Sequence, residues 1–271
     1  MLHGKDHHLF RDSLRSRSLQ LAMDKVELPT SSVKLPGNLR CLVIGASESG
    51  KSTFLANLIK HKDMVFPEPY AKFLFCSPHF DSSYAGIRDQ NYQKNLEEWA
   101  KPSEIVFYNH IITKEELLEE AEATHPGRLL LLIDDFSQEI TNHPLVYDLF
   151  SKFASHKSIS SCISLHMGLK SRNGNLASLL SQNCNYLVIF RNLANRAAIG
   201  EMSKTIFPYC KNFLQRALDE ITKTCGQFSY ICKDANLKNP LNNKYEIRSN
   251  IFRENNLPIL LCKNPQAYHK K

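Results

Sequence analysis

Apolar residues fall in short, spaced runs along the chain. Runs of strand length occupy residues 41–44, 73–76, 105–108, 129–133, 162–165, 186–190 and 228–232, and stretches with helical periodicity lie between them at 51–60, 114–123, 145–155 and 195–205. A strand with one wet face alternates apolar and polar residues. These runs are close to continuously apolar, as strands covered on both faces are. Strands alternating with helices predict an α/β fold, a mainly parallel sheet with helices on either side. Pro36-Gly37 punctuates the chain just before the first run, so the main domain is expected over 39–252. Residues 1–38 read as a basic arm with a short helix around 12–22. Residues 253–271 read as a polar, basic tail in which only 257–262 is apolar.

Composition narrows the function classes. The 271 residues carry 34 Lys plus Arg against 27 Asp plus Glu, a net charge of +7, with 42% hydrophobic and 23% charged residues. That is a globular composition and excludes disorder throughout. The charge favours a polyanionic partner without choosing among DNA, RNA and acidic surfaces. With no zinc-finger or RRM-type signature, nucleic-acid contacts are expected to be with the backbone and indifferent to sequence. No apolar run reaches the roughly 18–20 residues of a membrane span, and the first residues lack a signal-peptide core. The expectation is an intracellular protein, in the nucleus or cytoplasm, with no membrane partner. The 8 cysteines include no C-x-x-C pair and read as reduced core residues.

The sharpest signal is Gly45-Ala46-Ser47-Glu48-Ser49-Gly50-Lys51-Ser52, followed by Thr53, a full G-x-x-x-x-G-K-S match after an expected strand and before an expected helix. The glycines let the loop fold so that amide N–H groups face a phosphate, and the positive end of the helix adds attraction. Lys51 is expected to pair with the β- and γ-phosphates of ATP, and Ser52 to hold Mg2+. Asp134 and Asp135 follow the apolar run 129–133, at the carboxyl end where open α/β sheets bind ligands. Neighbouring residues on a strand point to opposite sides. Asp134 is therefore expected to hold magnesium through water while Asp135 polarises the attacking water. The spacing of loop and acidic run fits a three-layer P-loop NTPase with an additional strand between the phosphate-loop strand and the acidic (Walker B) strand. GTPases fit badly, because no D-x-x-G follows the acidic run. A small-molecule kinase is weakened by the absence of a compact arginine-rich lid after it.

Several segments together resemble the viral genome-packaging ATPases of the FtsK–HerA superfamily, of the poxvirus type also found in adintoviruses and Maverick (Polinton) elements. They are Leu35-Pro36 leading into the loop, Phe73-Leu74-Phe75-Cys76-Ser77 with Tyr84 after it, and residues 131–136. Further on come Phe150-Ser151-Lys152, His156-Lys157-Ser158-Ile159-Ser160, Tyr186-Leu187-Val188-Ile189-Phe190-Arg191-Asn192, Phe207-Pro208 and Arg248-Ser249-Asn250-Ile251-Phe252. The resemblance covers roughly 35–252. It implies a homo-oligomeric ring that uses ATP hydrolysis to move double-stranded DNA into a capsid, with capsid or portal proteins as partners and some copies carried in the virion. Two positions depart from the pattern. His166 stands where the family has a glutamine that senses the γ-phosphate, and Ser178 stands where it has an arginine. Arg172, Arg191 and Arg196 are nearby substitutes, of which Arg172, in a Ser-Arg-Asn-Gly stretch, is the favoured donor across a subunit interface. Lys152, His156 and Lys157 form a small basic group that fits either a solvated loop or a face toward DNA or a neighbouring subunit. The alternative implied by His166 is a nucleotide-binding assembly or scaffold protein with a degenerate ATPase site.

Overall fold

Runs that are apolar on both faces need cover on both faces, and the chain supplies it with two layers of helices. A computed structural model describes residues 23–25, 34–80, 87–136, 139–140, 143–153, 159–166, 183–191, 196–206, 212–226, 228–234, 245–252 and 259–262. Among the described residues ten strands form one sheet: β1 (Met23–Lys25), β2 (Arg40–Gly45), β3 (Lys72–Cys76), β4 (Ile105–Tyr108), β5 (Leu129–Ile133), β6 (Ile159–His166), β7 (Tyr186–Phe190), β8 (Tyr230–Asp234), β9 (Tyr245–Arg248) and β10 (Ile259–Cys262). Their order is β1-β10-β9-β8-β7-β2-β6-β5-β3-β4. From β7 to β4 all pairs are parallel, and from β7 through β8, β9 and β10 to β1 all are antiparallel. The helices are α1 (Lys51–Lys60), α2 (Lys62–Val65), α3 (Ile87–Trp99), α4 (Lys114–Thr124), α5 (Pro144–Asp148), α6 (Arg196–Ile206) and α7 (Phe213–Cys225). Among the described residues no helix is long and apolar enough to cross a membrane.

The period-2 alternation of each strand sorts its side chains between two cores. Leu74, Leu129, Leu131 and Ile133 pack on one face with Leu117 of α4, Leu145 and Val146 of α5, Ile199 of α6 and Ala217 and Ile221 of α7. Phe73, Phe75, Leu130 and Leu132 pack on the other with Phe54, Leu55 and Ile59 of α1, Val65 of α2 and Leu96 of α3. The strand inserted in space between the phosphate-loop strand β2 and the acidic strand β5 is β6. In sequence β6 comes after the acidic strand, whereas the runs that precede it, β3 and β4, extend the sheet beyond β5.

Three local readings change. The helix expected over 145–155 is the five-residue α5 followed by a π-helical turn at Leu149–Phe153. Within that turn the Phe150 carbonyl accepts a hydrogen bond from Arg40 Nη1 at 3.1 Å, a partner outside the helix. The run at 228–232 begins as a strand only at Tyr230 and leaves Phe228 in the preceding turn. Short strands in the arm and the tail, β1 and β10, pair with each other at one edge of the sheet. The helix expected around 12–22 lies outside the described residues.

Two adjacent serines on β6 show how polar groups are tolerated in this core. Ser160 Oγ accepts from Leu39 N–H at 3.1 Å and from the Tyr70 hydroxyl at 2.8 Å, and donates to Gly37 O at 3.4 Å. It fixes the entry into β2. Ser161 Oγ is equally buried and has no hydrogen-bond partner among the described residues. Because a satisfied buried hydroxyl stabilises and an orphaned one costs desolvation, the two alanine variants should differ in sign. Ser160→Ala is expected to lower unfolding free energy by about 1–3 kcal/mol, and Ser161→Ala to leave it unchanged or raise it by up to about 1 kcal/mol, as read from urea titrations.

Candidate functional site

The chemistry gathers where β2, β6 and β5 end. β2 finishes at Gly45, the loop crosses Ala46 to Gly50, and α1 starts at Lys51. Gly45 is required by space: a Cβ there would lie 2.5 Å from Ser49 Oγ and 2.8 Å from Phe190 Cβ. Gly50 is required by conformation, its φ of 104° lying in the left-handed region that glycine enters without strain. Gly50 is the N-cap of α1, and no side chain among the described residues caps the helix. Its first amides are therefore left for an anion. Ser49 Oγ is buried in the loop without a partner among the described residues.

Lys51 is 6% exposed and its ammonium donates to Ala46 O at 2.7 Å, so it lies along the inside of the loop. Burial pushes its pKa below the usual lysine value, and the charges of Asp134 and Asp135 pull the other way. Ser52 and Thr53 follow on the exposed first turn of α1. Ser52's carbonyl accepts from the Tyr92 hydroxyl of α3 at 2.8 Å. Burial, with the nearby Asp134 charge, raises the Tyr92 pKa and keeps that phenol a donor.

The acidic pair divides its directions, though not by the pleat of a strand. β5 ends at Ile133, and Asp135 sits at φ 62°, a left-handed conformation that Asp tolerates better than most residues. The reversal sends the two carboxylates apart. Asp134 is 3% exposed and accepts from the Ser164 hydroxyl of β6. Asp135 is more open and is held from two sides: His166 Nε2 meets one oxygen at 2.9 Å and His79 Nε2 meets the other at 2.9 Å. His166 Nδ1 lies 3.4 Å from Ser47 Oγ. With Nε2–H given to Asp135, Nδ1 of a neutral ring is left to accept from that hydroxyl. His166 thus ties the phosphate loop to the acidic strand. Burial would raise the Asp135 pKa, but the hydrogen bonds and charges of His166 and His79 outweigh it and hold the carboxyl below its ordinary range.

A nucleotide's magnesium would find hard oxygen ligands here. Ser52 offers a hydroxyl and Asp134 a carboxylate, and the small number of protein ligands suits an ion that keeps most of its water. The donor set fits the ion. The arginines are placed unevenly. Arg191 follows β7 and pairs with Asp219 of α7 at 3.4 Å, while Arg196 opens α6. Arg172 and Ser178 lie outside the described residues, as do Tyr84, His156 and Lys157. Lys152 falls in the π-helical turn, where only its backbone is described.

His79 and Tyr92 escaped the sequence reading. His79 had one available signal, its place three residues beyond β3 at the carboxyl edge of a parallel strand. Tyr92 had none, because α3 itself went unrecognised. On the opposite side of the phosphate loop from Asp135, a cleft of about 990 Å³ is lined by the loop, Asn57, Phe190, Phe228 and Tyr230.

A glycine loop between the first parallel strand and its helix, facing an acidic strand two places away in the sheet with β6 between them, decides the architecture. The fold is that of a P-loop NTPase. No protein-family model matches the chain, and no curated protein does. Solved structures similar to it include the KaiC-like protein of the hyperthermophilic archaeon Pyrococcus horikoshii OT3, 13% identical over 62% of this chain and 80% of that one, with a TM-score of 0.40. The cytoplasmic domain of the Thermomonospora curvata Type VII secretion ATPase EccC is 14% identical, covering 56% of this chain and 19% of that one, with a TM-score of 0.37. EccC ATPases 2 and 3 in complex with a signal sequence peptide give 14%, 55% and 29%, with a TM-score of 0.36. Strand order and loop placement, not these likenesses, define the fold.

The double clamp on Asp135 makes a titration prediction. A carboxyl held below its ordinary pKa contributes stability that is present above the unfolded value of about 3.9 and is lost as pH falls through the lower folded value. Removing the clamps in His79→Ala/His166→Ala should move the Asp135 titration upward, and NMR titration of the side-chain carboxyl carbon reads the shift directly. An unchanged midpoint would mean that the histidines do not stabilise the ionised form.

Proposed function

We propose that this chain is a magnesium-dependent ATPase whose hydrolysis drives movement of double-stranded DNA. The observation that carries the ATPase reading is the line formed at one sheet edge by the phosphate loop, His166 and the acidic pair, with Lys51 buried between loop and carboxylates. Lys51 and the first amides of α1 are suited to bind and orient the phosphates, and Asp135 to accept a proton from water. Bound magnesium, held by Ser52 and Asp134, would neutralise developing phosphate charge. The coupling to DNA is supported by the net charge of +7 and by the resemblance to viral packaging ATPases. On that reading the chain acts as a homo-oligomeric ring on a capsid or portal, inside the infected cell or carried in the virion. Arg172 is the candidate arginine presented to a neighbouring subunit.

Steady-state ATPase assays with and without duplex DNA test the proposal. Lys51→Ala is expected to lose at least about 10²-fold in kcat, because it removes a donor to the transferred phosphate's charge. Duplex DNA is expected to raise the rate of the natural protein. Turnover unchanged by Lys51→Ala would sink the ATPase reading, and a rate indifferent to DNA would sink the coupling.

One observation favours a second reading, a nucleotide-binding assembly protein with weak hydrolysis. Both Asp135 oxygens are engaged by imidazoles, and the donor that a γ-phosphate sensor would use on His166 is committed to Asp135. His166→Gln offers an amide with two donors in place of one. If the second reading holds, this variant should raise a weak rate several-fold, whereas a lower rate would make His166 part of a working site.

A further inference from the structure

The phosphate loop divides the carboxyl edge of the sheet into two sides. Toward β6 and β5 stand His166, Asp134 and Asp135. Toward β7 and β8 lies the cleft of about 990 Å³, which contains none of these three. β8 runs antiparallel to β7 with Tyr230 opposite Phe190, so the turn that precedes β8 comes to the same edge as the phosphate loop. That turn carries Phe228, a residue 60% exposed. Among the residues whose burial is described, the exposed large hydrophobics are Phe228 and, at 47%, Tyr147. The Phe228 ring comes within 3.8 Å of where a Gly50 Cβ would be, so it borders the loop itself.

The ground beneath it is firm. Phe190 and Tyr230 line the same cleft and are buried, with ring centroids 5.3 Å apart, and both pack against Phe54 of α1 at 6.3 and 5.2 Å. These rings are occupied with one another. Phe228 presents its ring to the cleft, and Thr53 and Asn57 of α1 bring polar groups to the same wall. An apolar ring exposed in a concave polar site is what a flat, partly apolar ligand covers with gain, and a nucleobase stacks on phenyl rings whatever its sequence of edge groups.

We propose that Phe228 is the stacking platform for the base of the bound nucleoside triphosphate, with purines preferred for their larger face. The proposal builds on the triphosphate reading and gives it a direction: the terminal phosphate points toward Asp135, and the base lies over α1 toward β8.

Calorimetric titration of the full chain, in magnesium, with ATP, CTP and inorganic tripolyphosphate separates the two readings. The natural protein should bind ATP more tightly than CTP and CTP more tightly than tripolyphosphate. Phe228→Ala should weaken ATP about tenfold or more and leave tripolyphosphate unchanged. Phe228→Leu, which keeps apolar bulk without a ring, should behave like the alanine variant. Phe228→Trp should retain ATP affinity, with tryptophan emission quenched by ATP and not by tripolyphosphate. Equal ATP affinity in Phe228→Ala and the natural protein would overturn the proposal, as would an equal loss for ATP and tripolyphosphate. If the natural protein binds tripolyphosphate as tightly as ATP, the base platform fails and the phosphate site stands. If it binds neither, both fail together.

Discussion

In the parallel ladder between β2 and β6, Gly45 lies opposite His166, while in the ladder between β6 and β5, Ile133 lies opposite Ile163. β6 therefore runs three residues past the end of β5, and those three residues assemble the site. Ser164 meets Asp134 and the Asp135 amide, Leu165 remains in the core, and His166 reaches Asp135 on one side and Ser47 on the other. Strand periodicity is two, so a slip of one residue would turn Ser164 and His166 to the opposite face and put Leu165 among the carboxylates. Register here is set by the buried apolar residues on both faces of β6 and β5. The hydrophobic core thus decides which polar groups meet at its edge.

Placing Lys51 and Asp134 in poorly solvated positions carries a cost that only partners can offset. Lys51 has the Ala46 carbonyl and the field of two carboxylates, and Asp134 has the Ser164 hydroxyl. Neither arrangement saturates the group. A lysine ammonium has three donors and a carboxylate has several acceptor sites, so both retain capacity toward a phosphate and its cation. Asp135 differs, being open to solvent on one side yet held at both oxygens. Each oxygen keeps an acceptor site beside its imidazole, so Asp135 could accept a proton from water with both contacts in place, which makes His79 and His166 positioning groups for the carboxylate.

What could be read from sequence followed the strength of the local pattern. The seven runs between β2 and β8 are apolar and strand-length, and G-x-x-x-x-G-K-S fixes both a turn and the helix after it, so the layers and the phosphate loop were legible. The two long helices that went unread fail in different ways. In α7 the apolar positions Phe213, Leu214, Ala217, Leu218 and Ile221 do recur at helical spacing and a signal was present. In α3 the sequence Ile87–Trp99 is mostly polar, and Leu96 supplies its buried contact. The strands β1, β9 and β10 are three or four residues long, too short for periodicity to register. The one signal for His79, its place just beyond β3, carries meaning only once β3 lies beside β5, a pairing that no local pattern states.

The antiparallel annex explains why the sheet does not stop at β7. After α6 and α7, β8 enters in the reverse sense, which brings its amino-terminal end to the carboxyl edge and delivers Phe228 and Tyr230 to the cleft. The segment after β9 then returns beneath α1. Ser249 Oγ donates to Tyr230 O at 2.6 Å, Ile251 is buried, and Phe252 packs against Phe54 at 5.1 Å and His61 at 5.5 Å. Residues 248–252 thus brace the helix whose amino end faces the phosphate. This gives a mechanical reason for a distinctive sequence segment far from the loop: α1 is gripped at Phe54 and at its carboxyl end, so displacement of β8 or β9 would be transmitted to the phosphate loop through packed rings. Phe54, Tyr230 and Phe252 are the packed rings of that path.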